Sequence, residues 1–165
     1  MATIDLATEG VAGKHPSRTG NKGPYMVRKV IDIAAAVTAK GSALAQGDVI
    51  ECIAVPAGTR IMDAGLVCKT AKTGTTADLT IDFGVTGGDV DNYVDGWDYD
   101  AAVAGDFAGT IGVVEPVTIS TADTIDMLLV TQTGTLLTGK IIAWALLLDI
   151  SDSPAAEPGI ALVGS

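Results

Sequence analysis

The stretch ADLTIDFG, residues 77–84, decides the fold class. Leu79, Ile81 and Phe83 alternate with Asp78, Thr80 and Asp82. Successive side chains of an extended chain point to opposite sides, so this period of two gives a strand with one apolar and one wet face. Similar runs flank it. DVIECIAV (48–55) sets Ile50, Cys52 and Ala54 against Val49, Ile53 and Val55. PAGT (56–59) is a turn opened by Pro56 and leads into a long strand, TRIMDAGLVCK (59–69), where Gly65 suggests a bulge or bend. Downstream, TIGVVEPVTIS (110–120), TIDMLLVTQT (124–133) and TGKIIAWALLLDI (138–150) read as strands, the last two joined by a hairpin at GTLLT (134–138). Upstream, VIDIAAAV (30–37) reads as a strand and AKGSALAQGD (39–48) as a loop or short helical turn. TAKTGTT (70–76) reads as a polar loop. The Ala-rich stretch 32–46 comes nearest to a helix, but Gly41 interrupts it. Seven or eight strands separated by turns predict an all-β domain. With one long excursion at 85–109, they fit a jelly-roll-like antiparallel β-sandwich.

At 165 residues the chain suits one domain. Residues 1–29 read as an extended basic N-terminal arm, broken by Gly10, Gly13, Gly20, Gly23, Pro16 and Pro24. Residues 30–150 form the sandwich, and 151–165, SDSPAAEPGIALVGS, form a C-terminal tail. Hydrophobic residues make up 48% and charged residues only 18%. The longest apolar run, IIAWALLL at 141–148, is far short of the roughly 20 residues a membrane helix needs, so no membrane partner is expected. Burial of low-charge surface against other chains accounts better for the mean hydropathy of +0.41.

The formal net charge is −10. Residues 1–29 carry Lys14, Arg18, Lys22, Arg28 and Lys29 against Asp5 and Glu9, while the rest of the chain carries five basic and eighteen acidic residues. The body should repel nucleic acid, and the arm should dock on an acidic surface. The start, MATIDLATEGVAGK, lacks the basic and apolar regions of a signal peptide, so synthesis in a cytoplasm and reduced thiols are expected.

The residue types for catalysis are sparse. His15, the single histidine, falls in the arm, where nothing rigid would hold it for a Ser–His–Asp or Cys–His arrangement. Cys52 and Cys68 are too few for a zinc site and fit small buried hydrophobes. GVTGGD (84–89) lacks the Lys-Ser/Thr of a phosphate loop. The stretch GGDVDNYVDGWDYD (87–100) gathers five aspartates. Asp89 and Asp91 match the first two positions of a helix–loop–helix calcium loop. The match then fails, with Tyr93 at the third ligand, Val94 for the glycine and Asp100 for the glutamate. No catalytic residue, metal or cofactor is therefore assigned. Tyr93, Trp97 and Tyr99 would instead pin this loop against the body or a partner.

The stretch IDIAAAVTAKGSALAQGDVIECIAVPAGTRIMDAGLVCKT (31–70), continued by TADLTIDFG (76–84) and DVDNYVDGWD (89–98), resembles a pattern in small structural proteins of tailed-bacteriophage virions, the capsid decoration or cement proteins. The resemblance spans about residues 30–105 and leaves out the basic arm. It implies a jelly-roll-like fold, a homotrimer on the outer capsid shell, the major capsid protein as partner, and no catalytic site. Lys14, Arg18, Lys22, Arg28 and Lys29 are the candidate shell contacts by charge, and Tyr93, Trp97 and Tyr99 the candidate contacts by ring surface. Another virion part, such as a head–tail or tail subunit, is the alternative, as is a calcium-dependent jelly-roll sugar-binding module using 87–100.

Overall fold

The structure, a computed structural model, describes residues 1–5, 23–109 and 115–150. Its strands are β1 (Thr3–Asp5), β2 (Tyr25–Asp32), β3 (Val49–Val55), β4 (Thr59–Gly74), β5 (Asp78–Val85), β6 (Val94–Asp98), β7 (Phe107–Ala108), β8 (Val117–Ile119), β9 (Asp123–Thr133) and β10 (Leu136–Asp149). A short helix, α1 (Ile33–Lys40), links β2 to β3. One sheet runs β1-β3-β9-β5-β6 and the other β2-β10-β4-β7, with β8 also on β4.

The pairings nest. β5 pairs with β6, β4 with β7 and β8, β3 with β9, and β2 with β10, all antiparallel. A chain paired outward from its middle as one long hairpin, then rolled into two sheets, is a jelly roll. The all-β expectation from 77–84 holds, and β5 buries Leu79, Ile81 and Phe83 as its alternation requires. The core lies between the sheets. It is filled from one side by Ile50, Ile125, Met127 and Leu129, and from the other by Leu66, Ile141, Ala143 and Leu147.

Several expectations give way. VIDIAAAV is not one strand: β2 ends at Asp32 and α1 begins at Ile33. Alanine favours helix over strand. The Asp32 carboxylate accepts the Ala34 N–H at 3.0 Å and caps the start. Gly41, left-handed at φ 74°, closes the end by donating its N–H to Val37 and Thr38 carbonyls. The polar loop at 70–76 is mostly strand, because Thr70 and Thr73 continue the β4–β10 ladder, with a Thr73–Thr138 hydroxyl bond of 2.5 Å. Gly65 sits in register opposite Trp144, with no break there; the β4–β10 irregularities come instead at Met62, unpartnered between Ile61 and Asp63, at Lys69, unpartnered between Cys68 and Thr70, and nearer the hairpin.

The N-terminal residues are also less arm-like than expected. Thr3–Asp5 adds a parallel strand beside Val49–Glu51, and Arg28 and Lys29 lie within β2. The buried Asp48 carboxylate accepts N–H groups of Ala2 and Ala45, each at 2.8 Å, and pairs with Lys40 at 2.5 Å, so it ties β1 to the end of α1. These bonds hold its carboxyl below the usual carboxylate range even though burial pushes the other way. Of 110–120, β8 covers Val117–Ile119, and 110–114 lies outside the described residues, as does the tail 151–165.

Candidate binding surfaces

The two sheets present opposite chemistry on their outer faces. On the β3-β9-β5 sheet, register aligns Asp5 with Glu51 and Glu51 with Asp126, and Asp82 sits beside Leu128. Asp126 is only 5% exposed and accepts the Thr86 hydroxyl. Burial raises its carboxyl to about 7, and the nearby charges of Glu51 and Asp123 push the same way. Glu51 is likewise raised, by burial and then by Asp5.

The acidic 87–100 stretch is pinned to the body, one of the two arrangements expected of its rings. Tyr93 (1% exposed) and Tyr99 (0%) are core residues, so a partner cannot reach their rings. The Tyr99 hydroxyl donates to the Thr70 carbonyl at 3.0 Å. Burial raises both phenols, that of Tyr93 to about 12. Trp97 is half-buried and tilts against Tyr99 with ring centroids 5.2 Å apart. Two of its acids, with Asp82 of the neighbouring strand, hold the backbone in place. Asp82 accepts the Gly96 N–H at 2.7 Å, Asp98 that of Ala101, and Asp100 pairs with Lys72 at 2.6 Å. Carboxylate oxygens of Asp82, Asp91 and Asp95 lie within 4.8 Å of one another, a juxtaposition the loop pattern of Asp89 and Asp91 did not foresee. Asp82 comes from β5, so only the β5–β6 pairing creates it.

The outer face of the β2-β10-β4 sheet is apolar and basic. IIAWALLL is β10, a central strand whose inner residues Ile141, Ala143, Ala145 and Leu147 are buried. Its outer residues Ile142, Trp144, Leu146 and Leu148 stay half-exposed. Register places Val30, Ile142 and Val67 in one row, and Arg28, Trp144 and Gly65 in the next. Phe107 (43% exposed) stacks on Trp144 at 6.0 Å, and Met26 (65%) flanks Leu146. Gly65 leaves the room for this: a Cβ there would lie 2.8 Å from the Ala108 carbonyl and 2.9 Å from the Trp144 ring.

Among the predicted contact residues, Arg28 is exposed on this face. Lys29 takes an inward position on β2, half-buried and close enough to the buried Cys52 thiol to act on its ionisation. Lys14, Arg18, Lys22 and His15 lie outside the described residues. Cys52 and Cys68 are both buried and free. Two open depressions at one end of the sandwich, one lined by Ala54, Pro56 and Thr124 and the other by Gly87, Gly88 and Thr118, share Asp123 as their titratable side chain. No helix among the described residues is long and apolar enough to cross a membrane.

No family model matches the chain, and no curated protein matches its sequence. Solved structures do match. A chain in the capsid structure of Ralstonia phage GP4 superposes with a TM-score of 0.64 at 17% identity, covering 90% of this chain and 99% of that one. A chain in the capsid asymmetric unit of cyanophage Pam1 superposes with a TM-score of 0.52 at 12% identity, covering 86% and 99%. At these identities the likeness establishes a shared fold. It is a likeness of whole chains of similar length, not of one domain within larger proteins.

Proposed function

We propose that this chain is a structural protein of a phage virion, and specifically a decoration protein that binds the outer capsid shell as a homotrimer and strengthens contacts between capsomers. The observation that carries the reading is the whole-chain fold shared with two capsid chains of similar length. Composition supports it. With 18% charged residues and an apolar outer sheet face, the chain has surface suited to burial against other proteins. The non-catalytic reading rests on the same grounds, on a single histidine, and on two buried thiols whose pKa values burial raises. The major capsid protein is the partner this reading requires.

The test is a reconstruction of the particle encoded with this gene, together with the protein's mass in solution. A decoration protein appears in hundreds of copies on the outer shell and sediments as a trimer. A handful of copies at a single vertex would assign it to the head–tail or tail machinery. Absence from the particle would end the virion reading. Lys14, Arg18 and Lys22 enter the same experiment as substitutions to serine. Deleting the arm would also remove β1 and its tie to Asp48, confounding contact with fold.

A further inference from the structure

We propose that the outer face of the β2-β10-β4 sheet is the surface that docks on the capsid shell, meeting a protein surface that is apolar at its centre and carries carboxylates around it. This rests on the virion reading above and adds which face of the sandwich does the binding.

The first observation is the pattern of β10. A strand with one face on the core and one in water alternates apolar with polar. β10 does not: from Ile141 to Leu148 it is apolar on both faces, though its outer residues are half-exposed. Phe107 and Trp144 stack on each other there, giving one continuous aromatic and aliphatic surface with Ile142 and Val30. Fully solvated, such a patch has no stabilising role, and large apolar patches on soluble proteins mark contact sites. Aromatic residues ringed by arginine are the composition of an interface centre.

The second observation is charge. Among the described residues, Lys40, Lys72 and Lys140 are held by Asp48, Asp100 and Asp32. Arg28, Arg60 and Lys69 are exposed and have no ion pair. Arg28 and Arg60 are in register with the outward-facing Trp144 and Leu148, and Lys69 is exposed at a bulge of β4, two residues beyond Val67. In a chain with twice as many acids as bases, two of these three unpaired cations lie on the one apolar face and the third stands at the bulge near its end. The acid on this face besides the paired Asp32 is Asp63, half-buried, whose carboxylate accepts the Ala64 N–H. The opposite sheet carries Glu51, Asp82 and Asp126. Cations around an apolar centre complement an acidic protein rim. A net charge of −10 disfavours a phosphate polymer or anionic bilayer as the occupant.

The test uses shells purified from particles of the encoding phage grown without this gene, and the full chain added back. Wild type should bind. R28E/R60E, which changes two exposed side chains, should bind at least tenfold more weakly. T80E, which adds negative charge on β5 of the far sheet, should bind as wild type does. Hydroxyl-radical footprinting of the bound wild type should protect Met26 and Trp144, a readout that needs no variant to fold. Equal binding by R28E/R60E, or an unprotected Trp144, would overturn the assignment of this face while leaving the virion reading intact. Failure of wild type to bind would sink both. Protection of Trp144 in the free protein, with R28E/R60E dissociating a trimer, would show that a second copy covers the face and would overturn the shell as occupant.

Discussion

Replacing Gly65 by alanine perturbs the strand crossing on which the exposed aromatic pair is built. The Gly65 backbone lies in ordinary extended space, so no torsional strain enters. The cost is steric. The added Cβ would sit 2.8 Å from the Ala108 carbonyl and 2.9–3.0 Å from two Trp144 ring atoms, where ordinary contact begins near 3.4 Å. Trp144 can tilt away at the expense of its stack on Phe107. The Ala108 carbonyl is backbone of β7, paired with Leu66, so it moves only if the strand does. Overpacking of this kind costs about 1–3 kcal/mol, and the immobile carbonyl argues for the middle, about 2 kcal/mol. For a chain of this size that is roughly 4–8 °C in melting temperature. Urea titration in a W97F background, where emission reports Trp144 alone, measures both the midpoint and the ring's environment. The midpoint should fall with the slope unchanged, and Trp144 should become more solvated. A loss smaller than about 0.5 kcal/mol would show that β7 yields freely and would refute the close-packing argument.

Asp126 makes stability depend on pH in an unusual direction. Its folded pKa, about 7, lies above the ordinary carboxylate value of 3.8, so the native state holds the proton more tightly. Its contribution is complete at low pH and is lost as pH rises through 7, by at most about 4 kcal/mol; denaturation at pH 5 and 8 should show the fall, and D126N should flatten it. Asp48 has the opposite sign: its lowered pKa means that stability is lost as pH falls below the carboxylate range. D48A should cost about 2 kcal/mol by leaving two N–H groups unpaired and half-buried Lys40 with only the Ala43 carbonyl, and amide exchange at Thr3–Asp5 should accelerate. D32A removes the α1 cap and should cost about 1 kcal/mol in thermal unfolding. Calcium titrated calorimetrically into the protein should bind no tighter than about millimolar, since Asp82 already accepts the Gly96 N–H; submicromolar affinity would refute that assignment of Asp82.

Much of the fold was legible in the sequence because strand alternation is local. Leu79, Ile81 and Phe83 alternate whether or not the sandwich has formed, and turns such as PAGT declare themselves by composition. The helix α1 was hard to read because three alanines are silent about periodicity, and its end signals were taken otherwise: Asp32 as part of a strand and Gly41 as an interruption. Thr70–Gly74 was hidden because polar threonines suit a loop or an edge equally, and only β10 alongside selects the strand. The candidate site was less legible. Tyr93 and Tyr99 look like ring surface for a partner, yet the β5–β6 pairing turns them into the core. Arg28 was chosen for its charge, but its neighbours Trp144 and Gly65 are more than a hundred and about forty residues away in the chain. The sequence by itself determined an all-β chain, a low-charge surface and an acidic body. Only the tertiary structure decided that the unpaired Arg28 and Arg60 and the half-exposed apolar residues share one sheet face. Which face a residue joins is a matter of long-range register, and register is set by pairing and packing across the whole sandwich.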